Sequence, residues 1–243
     1  MKNRTAIITG GARRIGAAIT RELHGSGMDV IVHYNTSGPE AESLTGELNS
    51  VRPDSACMLE ADLGNIDSIK QFVARACSFR DRVDVLVNNA SVFQSTPLSD
   101  LDEASWDETI NINLKAPLFL SKALANALRS TGGTIINLAD IYGQNPLNDY
   151  LVYSISKAGL IMMTRALAKE LAPDIRVNAI SPGAILWNER SDQKNREKII
   201  RETLLQRQGD ISDITGAIHF LVNNAGYMTG QVLVIDGGRT RGM

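Results

Sequence analysis

Two cysteines in 243 residues, Cys57 and Cys77, stand in unrelated contexts and offer no disulfide framework. They read as reduced thiols of a cytosolic protein, so the expected location is cytoplasmic. Histidine is as scarce. His24, His33 and His219 have no ligand-like spacing to one another or to cysteine, and no metal site is expected. A dominant charge is missing too. Lys and Arg number 25 against 27 Asp and Glu, a net charge of −2, with no basic arm, so nucleic acid is not an expected partner. No apolar stretch reaches the length of a membrane span. The N-terminus enters an apolar strand within a few residues, without the layout of a signal peptide. What remains is 43% hydrophobic and 21% charged residues, the balance of a soluble globular protein, and the length fits one α/β domain over 1–243.

Runs rich in Val, Ile and Leu alternate with helical patterns. Strands are expected at 4–9 (RTAIIT), 29–34, 55–60, 83–87, 134–138, 175–180 and 231–235. Helices are expected at 15–26, 39–50 (Pro39 suiting a first turn), 67–77, 101–129, 150–171 and 213–222. Pro117 should bend or break the long one, and Ala172-Pro173 should stop the next. Apolar strands with helices between them predict a doubly wound parallel sheet, the Rossmann fold, with its ligand crevice at the carboxyl ends of the strands. The irregular, polar segment at about 184–210 reads equally as a substrate-covering insertion and as a surface excursion with one helix.

After the first strand comes Thr9-Gly10-Gly11-Ala12-Arg13-Arg14-Ile15-Gly16. Small residues let backbone approach a pyrophosphate, and the following helix offers its positive N-terminus. A glycine-rich turn alone is a weak signal. Its place between the first strand and first helix strengthens it. At the end of the second strand a carboxylate would bind the ribose of NAD and repel a 2′-phosphate. Here stand His33-Tyr34-Asn35-Thr36-Ser37 instead. With Arg13 for charge and Thr36 and Ser37 for hydroxyls, NADPH is the expected cofactor.

These residues resemble the short-chain dehydrogenase/reductase family, whose pattern is Thr-Gly-x-x-x-Gly-x-Gly, Asn-Asn-Ala-Gly, Ser…Tyr-x-x-x-Lys and Pro-Gly. The chain has Thr9-Gly10…Gly16, Asn88-Asn89-Ala90-Ser91, Tyr153…Lys157 and Pro182-Gly183 in that order, and the likeness runs on to Asp236-Gly237-Gly238. Three departures narrow it. Arg14 replaces the middle glycine, Ser91 replaces the last glycine of Asn-Asn-Ala-Gly, and Asp140 stands where the catalytic serine is usual, thirteen residues before Tyr153. Together they resemble the pteridine reductases, which reduce pterins and folates with NADPH.

The resemblance implies a role for each matching residue. Tyr153 donates the proton, and Lys157 lowers its pKa and holds the nicotinamide ribose. Asn113 helps to place Lys157 through water. Asp140 passes a proton to Tyr153. Cofactor contacts are expected from Gly10, Arg13, Arg14, Ile15, Asn35, Thr36, Ser37, Asp62, Leu63, Asn89, Ala90 and Ser91, and from Tyr153, Lys157, Pro182 and Gly183, with Asn88 and Ser181 bracketing the cofactor. Phe93 is the stacking platform for a planar pterin. Arg14, Ser91, Tyr150 and Trp187 complete the substrate site with Asp140 and Tyr153. The implied partner is a small molecule, a pterin or folate. The family implies a homotetramer, with residues 239–243 reaching a neighbouring subunit's site. Two rivals stand beside this reading: a ketone or 3-oxoacyl-thioester reductase of the same family, and a non-catalytic NADPH-sensing protein.

Overall fold

A computed structural model describes residues 4–187 and 192–242. Seven strands form one sheet: β1 (Thr5–Ile8), β2 (Asp29–Tyr34), β3 (Ala56–Glu60), β4 (Val85–Asn88), β5 (Thr134–Leu138), β6 (Arg176–Pro182) and β7 (Val232–Ile235). Every pair is parallel and the order is β3-β2-β1-β4-β5-β6-β7. This is the doubly wound α/β fold that the alternating pattern predicts.

Helices cover both faces of the sheet, and the strand side chains divide accordingly. Ile8, Val85 and Val87 point to one core, shared with α1 (Arg14–Gly25), α2 (Gly38–Val51) and α8 (Ile211–Asn223). Ile7, Leu86 and Ile135 point to the other, shared with α3 (Ile66–Phe79), α5 (Ala116–Arg129) and the end of α6 (Leu151–Leu171). Apolar burial on both faces explains why these strands read as continuous hydrophobic runs rather than alternating ones.

The order reverses between β1 and β4. Connections leave these neighbours in opposite directions, so their carboxyl ends part and leave a crevice. No described helix is long and apolar enough to cross a membrane.

The 101–129 region differs from the expected single helix. It is α4 (Glu103–Ile110), a π-helical turn (Asn111–Lys115) and α5. Pro117 does not break the run; it sits in the first turn of α5, and the discontinuity falls just before it. A proline has no N–H and crowds the carbonyl four residues back, here that of Asn113. The wider turn accommodates this, with the Ala116 N–H bonding back to Asn111. Pro39 occupies the first turn of α2 as expected. α6 stops where expected, because Ala172 turns to an extended conformation before Pro173. Within 184–210 lies α7 (Gln193–Glu202), capped by Asp192, which accepts from the Asn195 N–H. Residues 188–191 of that segment lie outside the described residues. A short α9 (Arg239–Gly242) follows β7.

Candidate active site

The turn after β1 is held from beneath. The Gly10 N–H donates to His33 Nδ1 at 3.0 Å, and the Gly11 N–H to the His33 carbonyl at 3.0 Å. Because Nδ1 accepts, the proton sits on Nε2, which faces the Ala61 carbonyl at 3.0 Å. Burial pulls the His33 pKa down to about 4, so the ring is neutral at working pH. Asn89, just past β4, ties the same turn, donating through Nδ2 to the carbonyls of Thr9 (2.8 Å) and Gly10 (3.0 Å). Gly16 must be glycine, since a Cβ there would lie 2.1 Å from the Gly10 oxygen.

No side chain caps the N-terminus of α1, where Arg13 is the N-cap residue. Arg14, Ile15 and Gly16 of its first turn line the crevice, an arrangement that suits a pyrophosphate. The crevice has a volume of about 960 Å³ and runs from this turn past the end of β2 to Asp62 and Ile112. Its β2 end carries no carboxylate on the strand, and the Ser37 hydroxyl makes no capping bond. Arg13 leans toward Glu40 at 3.5 Å, an exposed and weak pair. Asp62 lines the wall and accepts from the Gly64 N–H at 2.9 Å. These features fit a nicotinamide dinucleotide.

A second cavity of about 700 Å³ adjoins the first, and Arg14, Ile15, Asn89 and Ser91 line both. At its base, Asp140 follows β5 and caps a 3₁₀ turn (Ile141–Gly143), its Oδ1 accepting from the Tyr142 N–H at 2.9 Å. Tyr153 and Lys157 lie one turn apart on the buried face of α6. Tyr153 Oη donates to Asp140 Oδ2 at 2.8 Å. Lys157 is 3% exposed and donates to the Leu138 carbonyl at 2.8 Å. Burial pulls its pKa down to about 8, while Asp140 pulls the other way. Burial raises the Asp140 pKa, against the Tyr142 N–H, Lys157, the Tyr153 hydroxyl and Arg239. The Tyr153 pKa is raised well above its usual value, by burial first and then by Asp140. This corrects the expectation that Lys157 lowers it. Lys157 Nζ bonds the Leu138 carbonyl and lies 5.5 Å from the centroid of the Tyr153 ring, while the phenol hydroxyl faces a carboxylate.

Phe93 is 42% exposed and lines the second cavity. It stacks on Tyr150 at 4.4 Å between centroids and meets Tyr153 edge-on at 4.7 Å. Arg14 Nη2 lies 3.5 Å from the Trp187 carbonyl, and Trp187 lines the same wall.

The crevice and cavity collect all the expected site residues but Asn113, Asn88 and Ser181. Asn113 lines neither. Its amide is engaged by Ser91 Oγ, by the N–H and carbonyl of Val92 and by Ser156 Oγ. It clamps the loop after β4 to α6. Asn88 and Ser181, expected to bracket the cofactor, also stay off the walls. Asn88 bonds Asn137 across the sheet at 2.8 Å, and Ser181 is fully buried. Arg239 folds onto its own chain's cavity, donating to Tyr142 Oη at 3.0 Å; Met243 lies outside the described residues. Sequence reasoning did not single out Tyr142, Glu202 or His33. Tyr142 stands two residues past Asp140, and Arg239 directly follows Asp236-Gly237-Gly238. Those adjacencies were the only signals.

A parallel sheet with a dinucleotide-shaped crevice at its switch point, opening on a buried Tyr–Lys pair, defines an oxidoreductase that uses NAD(P)H. The chain belongs to the short-chain dehydrogenase/reductase family. A family model described as "Enoyl-(Acyl carrier protein) reductase" matches residues 10–240. The chain is 33% identical to a 3-oxoacyl-[acyl-carrier-protein] reductase of Synechocystis sp., covering 96% of this chain and 95% of that one. It is 34% identical to the Staphylococcus epidermidis protein of the same name (97% and 98%). It is 33% identical to pteridine reductase 1 of Leishmania tarentolae (96% and 95%).

Proposed function

We propose that the chain reduces a C=N bond of a dihydropterin or dihydrofolate with NADPH. The observation that carries this reading is the 2.8 Å hydrogen bond from Tyr153 to Asp140, at the position where serine is usual in the family. A serine hydroxyl suits a carbonyl oxygen. A C=N bond needs a proton delivered to nitrogen, and a buried carboxyl beside the phenol is a source for one.

NADPH, when bound, supplies the hydride. The residues of the chain orient the reactants and move the proton. While Asp140 is ionised it holds the phenol proton of Tyr153. When Asp140 is protonated it donates to the phenol oxygen, and Tyr153 is free to pass its own proton to the substrate nitrogen. The raised pKa of Asp140 favours that state. Arg14 reaches toward the substrate edge from the turn it shares with the cofactor, and Phe93 with Tyr150 offers a flat surface for a pterin ring. Arg13, Thr36 and Ser37 hold the 2′-phosphate, which selects NADPH over NADH.

A second reading, reduction of a 3-oxoacyl thioester, draws support from the relatives at 33% and 34% identity. The pteridine reductase stands level with them at 33%, so overall identity favours neither. NADPH oxidation followed separately with dihydrobiopterin, dihydrofolate and a β-ketoacyl thioester tests the choice. Oxidation with the pterin or folate is expected; oxidation with the thioester alone overturns the first reading in favour of the second.

A further inference from the structure

Among the described residues, Arg239 is a buried cation that the proposed chemistry leaves unused. It opens α9 near the end of the chain, yet is only 5% exposed. Its Nη1 donates to Tyr142 Oη at 3.0 Å, its guanidinium lies 5.6 Å from the centroid of the same ring, and Nη2 is 3.7 Å from Glu202 Oε2. Its Nε has no hydrogen-bond partner. A neutral hydroxyl and one loosely placed carboxylate offset only part of the cost of taking a guanidinium out of water.

A positive charge held there at a cost acts on what lies beside it. Tyr142, which grips Arg239 by its hydroxyl, grips Asp140 by its backbone N–H at 2.9 Å. Asp140 in turn receives the Tyr153 hydroxyl at 2.8 Å. The chain of contacts runs from Arg239 through Tyr142 to the Asp140–Tyr153 pair. We propose that Arg239, seated by the Tyr142 hydroxyl, is a positioning residue that sets where the proton of the Asp140–Tyr153 pair resides.

The groups facing Asp140 come from three elements: Tyr142 from the 3₁₀ turn, Tyr153 and Lys157 from α6, and Arg239 from α9, with Glu202 of α7 behind Arg239. Burial favours the neutral carboxyl, and both cations oppose it. The two cations are not equivalent. Lys157 titrates at about 8, so its charge fades in mild alkali, whereas a guanidinium keeps its charge at every working pH. Arg239 is therefore the permanent counter-charge.

The test is a carboxyl carbon-13 NMR titration of the full chain labelled at aspartate, with the Asp140 signal assigned by its loss in Asp140→Asn. Arg239→Met is expected to move the Asp140 midpoint up by about one pH unit. Arg239→Lys restores most of the shift, and Tyr142→Phe gives a smaller shift in the same direction. Thermal unfolding confirms that each variant is folded; if Arg239→Met is not, Tyr142→Phe carries the test. An unmoved midpoint in the folded variant overturns the proposal, as does an Arg239→Lys midpoint shifted as far as that of Arg239→Met. The consequence for turnover rests on the pterin reading: the alkaline limb of kcat/KM with dihydrobiopterin moves up with the midpoint. Wild-type protein inactive on dihydrobiopterin sinks that reading alone, because the titration needs no substrate.

Discussion

Arg14 has a backbone φ of +52°, in the left-handed region where side chains other than those of glycine, asparagine and aspartate rarely lie. The family's glycine at this position has no such difficulty. An arginine kept there at a strain of about 1 kcal/mol points to a use for its side chain. Arg14→Gly is therefore expected to raise stability by roughly 1 kcal/mol in urea unfolding, and to raise KM for dihydrobiopterin roughly tenfold with little change in kcat. A variant both more stable and equally active would leave Arg14 without a role. Asp140 carries a second prediction at this scale. Its raised pKa means the carboxyl is protonated at low pH and ionised at high pH, and the ionised form holds the Tyr153 proton. Pterin turnover should fall as pH rises through that pKa. A pH–kcat profile that is flat there counts against the relay. Much of this was legible in sequence: Tyr153, Lys157 and Asp140 stood at fixed offsets. The direction of the Tyr153 shift was not, because it depends on how deeply the fold buries the phenol and on the Asp140 carboxylate it faces.

The cofactor turn is an element whose glycines were plain in the sequence and whose support was not. His33 looked like part of a strand end. In the fold its ring carries the Gly10 N–H, because the β1–β2 pairing brings residues 23 apart in sequence into hydrogen-bond distance. A base whose folded pKa is depressed from 6.5 to about 4 binds protons in the unfolded chain first. Its contribution is fully present above pH 6.5 and is lost as pH falls from 6.5 to 4, by about 3 kcal/mol in all. Unfolding midpoints in urea should therefore fall more steeply with acid in the wild type than in His33→Asn, which keeps an acceptor without titrating. Parallel pH curves would contradict this. Helix α8 offers a control at the same scale. Asp210 and Asp213 form a capping box at its start, so Asp210→Ala should lower the urea midpoint without altering turnover. The π-helical turn before α5 shows where pattern fails: Pro117 announced a disturbance, but hydrophobic spacing does not say on which side of a proline the backbone widens.

For the whole molecule, the doubly wound parallel sheet followed from the alternation of apolar runs and helices. Contacts between distant segments did not follow. The C-terminal turn reaches Tyr142 across 97 residues, and no periodicity encodes that. Leu151, Ile155 and Met162 lie exposed on α6, with Leu118 on α5 and Phe220 on α8. We expect these apolar faces to be covered by further copies of the chain, giving a homotetramer of four 26.4 kDa subunits. Light scattering measures this directly, and a mass of one subunit would contradict it. The decisive measurement is kcat/KM for NADPH oxidation with dihydrobiopterin and with a β-ketoacyl thioester, in the wild type and in Asp140→Ser. Wild type should prefer the pterin, and Asp140→Ser should lose roughly tenfold or more on the pterin while holding or gaining on the thioester. A wild type that prefers the thioester, or an Asp140→Ser variant with undiminished pterin turnover, would contradict the pterin reading.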